Sequence, residues 1–202
     1  MAGHPALERV RWQTPAAAAA AATAALTGCA ATSATAQPAT AEQPARYQGG
    51  ASPWPICLAT APIRPSPRVA KVRSAAAAGY DAIEPWEGEL NKFEQDGGNL
   101  EDLGKAIKDA GLFVPSVIGL WGAIPPTREA FDANMDACHR RMRQAAAIGA
   151  EHIQVIPQPG RPLNEFDPKW AADRYRELLE IGLNEYNINP ALVFVEFLEG
   201  SK

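Results

Sequence analysis

The sequence predicts an α/β fold built on a parallel sheet, and three observations lead there. A helix-like segment is closed four times by a breaker, at Gly79, Gly111, Gly149 and Pro190, and each breaker precedes a short run rich in Val, Ile, Leu and Phe. Taking the runs to start at Asp81, Leu112, Glu151 and Ala191 gives steps of 31, 39 and 40 residues. That is the length of one strand, one loop and one crossover helix. The runs are continuously apolar rather than alternating, as expected of parallel strands covered by helices on both faces. With residues 55–60 as a first strand, the chain holds five strands and four helices. Periodicity alone leaves two architectures open, a doubly wound open sheet and a closed barrel.

The elements follow in order. Ser66-Pro67 places an N-cap and a first-position proline ahead of the first helix, which closes near Gly79. Asn99 caps a helix from Leu100, with Glu101 and Asp102 in the first turn, where the helix dipole favours anions. In the third helix Phe131, Met135, Cys138, Met142 and Ala145 recur every three or four residues and form an apolar face. His139, Arg140, Arg141 and Arg143 crowd its other sides and read as a solvated outer face. Asp167-Pro168 opens the last helix, whose inner stripe reads as Trp170, Tyr175, Leu178, Leu179, Leu183 and Tyr186. Gly79, Gly111 and Gly149 sit where a helix end asks for a left-handed residue.

The first fifty residues are of another kind. Their only acids are Glu8 and Glu42, and Arg9 and Arg11 precede an Ala-, Thr- and Leu-rich run over 15–27. A charged region before a short apolar one reads as an export signal, and the run falls short of the ~20 residues that span a membrane. It ends in Leu26-Thr27-Gly28-Cys29, which resembles the lipobox of bacterial lipoproteins. That resemblance implies cleavage before Cys29, a lipid anchor on that residue, and a periplasmic or membrane-anchored lipoprotein; ordinary cleavage after Ala36 is the competing expectation. Residues 30–53 lack apolar side chains to bury and read as a disordered tether, which leaves 54–202 as the folded domain. Of the other cysteines, Cys57 and Cys138 read as small buried apolar residues. A net charge of -4 argues against a nucleic-acid partner, which would need a basic surface.

The choice between sheet and barrel comes from particular residues. Ala77-Ala78-Gly79-Tyr80-Asp81-Ala82-Ile83-Glu84 resembles the segment ending the second strand of the xylose isomerase-like sugar phosphate isomerase/epimerase family. Residues 145–153, with Ile148-Gly149-Ala150 at their centre, resemble that family's lead into its fourth strand. Leu192 to Phe197, ending on Glu196, is similar to its fifth. The resemblance implies a (β/α)8 TIM barrel, a fold of ~250 residues. About 150 residues follow the tether, so it also implies a barrel truncated after the fifth strand.

The same resemblance implies an isomerase that moves a proton beside a sugar carbonyl through an enediolate, with a divalent metal held by acids and histidines. The chemical need is clear, because charge develops on two neighbouring oxygens while a carboxylate takes the C–H proton. Glu196 is then the expected metal ligand and general base. Glu84, closing the second strand, is an expected substrate contact, and Trp121, set between Gly119 and Gly122, an apolar wall of the sugar pocket. Where many relatives have histidine near the end of the fourth strand, this chain offers Gln158. His152 falls at the start of its strand, the wrong end for chemistry in a barrel. Glu87 and Glu89 read as solvated loop acids. Nothing in the sequence distinguishes Mn, Mg, Co or Zn, names the sugar, or settles whether the chain is a homo-oligomer. A metal-dependent abasic-site endonuclease is disfavoured, since three histidines and an acidic balance suit neither its metal cluster nor its substrate. The competing class is a non-catalytic, membrane-tethered sugar-binding or assembly module.

Overall fold

The computed structural model describes residues 47–63, 68–157 and 167–193, all within the unit Gln43–Lys202. Five strands and five helices follow one another: β1 (Cys57–Ala59), α1 (Arg68–Ala77), β2 (Ala82–Glu84), α2 (Glu87–Gln95), α3 (Leu100–Asp109), β3 (Ser116–Trp121), α4 (Arg128–Ala147), β4 (His152–Ile156), α5 (Pro168–Glu185) and β5 (Asn189–Leu192). All pairings between these strands are parallel. β1 pairs with β2, and β4 lies between β3 and β5. Bridges from Ala82 to Phe113 and from Trp86 to Ile118 join the two ladders. Strand order is therefore chain order. A doubly wound sheet reverses direction at a switch point, whereas a barrel adds each strand beside the last. The order seen is that of a TIM barrel, of which the described residues supply five strands.

Local chemistry explains the boundaries. Asn99 accepts from the Asp102 amide at 2.9 Å, Thr127 from Ala130 at 3.3 Å, and Asp167 from Lys169 and Trp170 at 2.9 and 3.1 Å. Each cap satisfies amides that the first helical turn leaves unpaired. Gly79, Gly111 and Gly149 take φ values of 80°, 79° and 77°, the left-handed turn expected after a helix. β3 begins at Ser116 and not at Leu112, because Pro115 has no amide to give to a ladder. β5 begins two residues before Ala191. Pro190 fits within it because its carbonyl accepts from the Tyr175 hydroxyl at 3.0 Å and its ring packs on Gly182, where a Cβ would lie 2.5 Å from it. The Ser66-Pro67 cap lies outside the described residues.

Helix α2 was not apparent in the sequence. It has nine residues, includes Gly88, starts at Trp86 without a side-chain cap and buries only Leu90 fully. So weak an apolar stripe leaves little pattern to detect.

The core lies between the strands and the helices. Val117, Ile153 and Val155 point outward from the sheet and are fully buried, as are Phe131, Cys138, Met142 and Ala145 on α4. Each large apolar side chain so buried contributes about 1.5–3 kcal/mol relative to exposure. Three expectations change. Leu183 is 48% exposed and leaves the α5 stripe to Trp170, Tyr175, Leu178 and Ile181. Cys57 is exposed on its edge strand while Cys138 is buried. The strands also carry a more polar inner face, with Ser116, Ile118 and Gln154 only half-buried, which the continuous apolar runs had concealed.

Candidate functional site

In a barrel the C-terminal ends of the strands face the reaction, and the inner-face side chains there meet in layers drawn from alternate strands. Glu84 is the last residue of β2, and Gln154 lies in β4, with β3 between them. Gln154 Nε2 donates to Glu84 Oε1 at 2.7 Å across that intervening strand. Strands stand ~4.8 Å apart, so this bond spans two strand spacings above Ser116, whose short side chain leaves room beneath it. The contact between β2 and β4 has the form of a layer of even-numbered strands in a barrel interior.

Burial raises the Glu84 pKa above the ordinary carboxylate value, while the Gln154 amide and the Ser116 hydroxyl oppose the rise by favouring the charged form. Among the described residues no lysine or arginine pairs with Glu84. On β1 the Cys57 thiol stays neutral: desolvation first, then the Glu84 charge, push its pKa up to about 11.

Trp121 reaches the same face through a bulge. In the register, Ile118 lies opposite Gln154, but Leu120 lies opposite Val155 and Trp121 opposite Ile156. Gly119 is the extra residue. Without it, side-chain alternation would send Trp121 outward and bring Leu120 in, since a shift of one residue exchanges the faces of a strand. A side chain at 119 would collide with Ile153, 2.5 Å from an added Cβ. The Trp121 Nε1 is buried and has no partner among the described residues. After it, Gly122 turns the chain with φ 63° and is held by Asn134, which donates to its carbonyl at 3.3 Å.

Other acids do structural work. Glu89 is not a solvated loop residue: on α2 its carboxylate takes the Lys71 ammonium at 2.5 Å and the Thr60 hydroxyl at 2.9 Å, with Lys71 only 2% and Glu89 12% exposed. Glu87 is likewise half-buried, 3.3 Å from Arg141. Both lie in the first turn of α2, where the helix dipole also favours them. The basic face of α4 is correspondingly not all solvent: Arg143 forks onto Glu94 with two bonds of 2.8 Å, and His139 Nδ1 lies 2.8 Å from the Tyr186 hydroxyl. His152 opens β4 at its N-terminal end, with Nδ1 3.0 Å from the Pro115 carbonyl, away from the strand ends that matter.

Of the predicted site residues, Glu84 and Trp121 come to the inner face at adjacent strand ends. Glu196, Gln158 and Cys29 lie outside the described residues. Gln154 was not foreseen, although a lone amide inside His-Ile-Gln-Val-Ile is a signal that an inner face is polar. Among the described residues no three metal-ligating side chains of the His, Cys, Asp or Glu type cluster together, and no helix is long and apolar enough to cross a membrane. Glu84 alone does not make a metal site.

The model of the family described as xylose isomerase-like TIM barrel matches residues 72–192, more than half of the chain, from within α1 to the end of β5. The chain belongs to this family. Solved structures agree on the fold. The probable 3-DHS dehydratase AsbF of Bacillus anthracis, involved in petrobactin synthesis, is 16% identical at a TM-score of 0.61 over 72% of this chain and 54% of that one. The IOLI protein with a bound zinc atom gives 17% and 0.59 over 69% and 51%. The 3-keto-D-glucoside 4-epimerase YcjR of E. coli gives 21% and 0.52 over 68% and 54%. The chain thus spans about half the length of these members of the fold. Among curated proteins, none matches it. This xylose isomerase-like chain keeps the barrel's first five strands in chain order and presents Glu84 and Trp121 where the fold places its chemistry.

Proposed function

We propose that this xylose isomerase-like protein acts on a sugar or sugar derivative by moving a proton next to the carbonyl. Supporting the reading above all is the placement of Glu84, held by Gln154, and of the inward-turned Trp121 on one inner face toward the C-terminal strand ends of a fold whose members include a 3-keto-D-glucoside epimerase. An indole and a carboxylate on the same inner face suit a sugar, offering an apolar face to C–H groups and an acceptor to hydroxyls. With its pKa raised by burial, Glu84 can meet a hydroxyl as acceptor when ionised or as donor when protonated.

In this proposal Glu196 is the general base. It takes the proton from the carbon beside the carbonyl, leaving an enediolate, and returns it on the same face to the neighbouring carbon for isomerisation; epimerisation would need a second acid on the opposite face to deliver the new proton. Gln158 is a further substrate contact. A divalent cation with Glu196 among its ligands belongs to the proposal because the IOLI protein binds zinc; the described residues do not themselves form its site, and no step is routed through it. Export and lipidation at Cys29 complete the reading.

The test is exchange of solvent deuterium into a panel of ketoses and aldoses with Mn, Mg, Co or Zn present. Exchange should fall at least ~100-fold in Glu196→Gln, the usual range for losing a proton-transfer group, while Glu84→Gln should raise KM. Sugar binding without exchange in the unmodified protein would instead support the tethered sugar-binding module.

A further inference from the structure

The bond between Glu84 and Gln154 crosses an entire strand, and local chain geometry does not require it. Glu84 belongs to β2 and Gln154 to β4, 70 residues later, and they meet at 2.7 Å. Neither is needed to hold the ladders, whose pairings run through the backbone. An amide nitrogen can only donate and does not titrate, so it stays a donor at every pH. Among the described residues, β1 brings Cys57 to the inner face, β3 brings Ser116, Ile118 and Trp121, and β5 brings Ala191 opposite Gln154. His152, two residues before Gln154, is engaged with the Pro115 carbonyl. Of these groups the Gln154 amide reaches the carboxylate from the far side of β3, whereas the Ser116 hydroxyl lies on β3 itself.

We propose that Gln154 is a positioning residue for Glu84: it holds one carboxylate oxygen and thereby fixes the direction in which the other is presented to the barrel interior. This deepens the proposed function, resting on it only for the claim that Glu84 meets a sugar. The Gln154 amide favours the ionised carboxylate, in opposition to the burial that disfavours it. Gln154 therefore sets both the aim and the protonation of Glu84.

The experiment is a ¹³C-carboxyl NMR titration of the full chain in the absence of sugar, with the Glu84 resonance assigned by its loss in Glu84→Gln. In Gln154→Met, which keeps length and removes the donor, the Glu84 pKa should rise by about one unit, a tenfold change. Gln154→Asn, too short to reach, should behave like Met, and it serves in Met's place should that variant fail to fold. Glu84 titration curves that superimpose in the wild type and either folded variant would overturn the proposal, since a merely structural glutamine would alter stability and leave this titration in place. The outcome is independent of catalysis: unchanged sugar binding in Glu84→Gln would sink the substrate reading and leave the positioning result standing.

Discussion

The inner face of the sheet and the outer helical layer treat buried carboxylates in opposite ways. In the outer helical layer, among the described residues, Glu89 takes Lys71, Glu87 takes Arg141, and Glu94 takes Arg143. On the inside Glu84 loses water and, among the described residues, gains no cation; the Gln154 amide donates to it. The consequence is visible in their acidity. Arg143 and then Gln144 hold Glu94 down at about 2, while burial holds Glu84 above its ordinary value. An acid compensated by a cation ties helices together. One left without compensation stays available to something else, and such groups gather at functional sites.

The largest break in this contrast comes from making an outer acid resemble Glu84. Lys71→Met keeps the aliphatic stem among Val72 and Leu90 but strips Glu89 of its ammonium. Removing one partner of a buried pair typically costs about 3–5 kcal/mol, and the Thr60 hydroxyl that remains offsets part of that, so a loss near 3 kcal/mol is expected in urea unfolding. The double variant Lys71→Met/Glu89→Gln should recover most of it, because no buried charge is then left alone. A single variant as stable as wild type would show that Glu89 is reached by water and that the outer layer is not the compensated region described.

A smaller effect tests the pH side. Because the folded-state pKa of Glu94 is lowered, its contribution is fully present above about 4.5 and is lost as pH falls from there toward about 2. The side chain is about a third exposed, so screening reduces the contribution to about 1 kcal/mol. Glu94→Gln should be less stable than wild type by that amount at pH 6 and converge with it near pH 2. Chemical denaturation at the two pH values measures the difference, and curves that stay parallel across the range would remove Glu94 from the acid response.

How much of this was legible in the sequence depends on what carried the signal. The five strands, four of the helices and the caps Asn99 and Asp167 were readable because each rests on a local rule of spacing or hydrogen bonding. Glu84 and Trp121 could be singled out because they end strands. Strand order needed the bridges between β2 and β3, which no local pattern encodes. Helix α2 escaped because its stripe of Trp86, Leu90 and Phe93 is only two turns long, contains Gly88 and follows β2 with no capping side chain, and the misplacing of Glu87 and Glu89 followed from that. Gln154 escaped for a different reason. Its meaning lies in a partner 70 residues away, and only the curl of the sheet brings the two together.

The smallest expected effect has the opposite sign and is the most discriminating. Glu84 has a raised folded-state pKa, so relative to the unfolded chain its stabilising contribution exists below about 4.5 and is lost as pH rises past that value toward the folded one. As pH rises and the charge appears, the buried carboxylate becomes a burden on the fold. Glu84→Gln keeps the volume and removes the charge, so it should leave stability unchanged or raise it slightly at pH 7, and the gain should vanish near pH 4. A substitution that costs the fold nothing yet weakens sugar binding is what stability given up for function looks like. If thermal unfolding instead shows Glu84→Gln losing several degrees at pH 7, the carboxylate has a compensating partner after all, and the inner face is built by the same rule as the outer one.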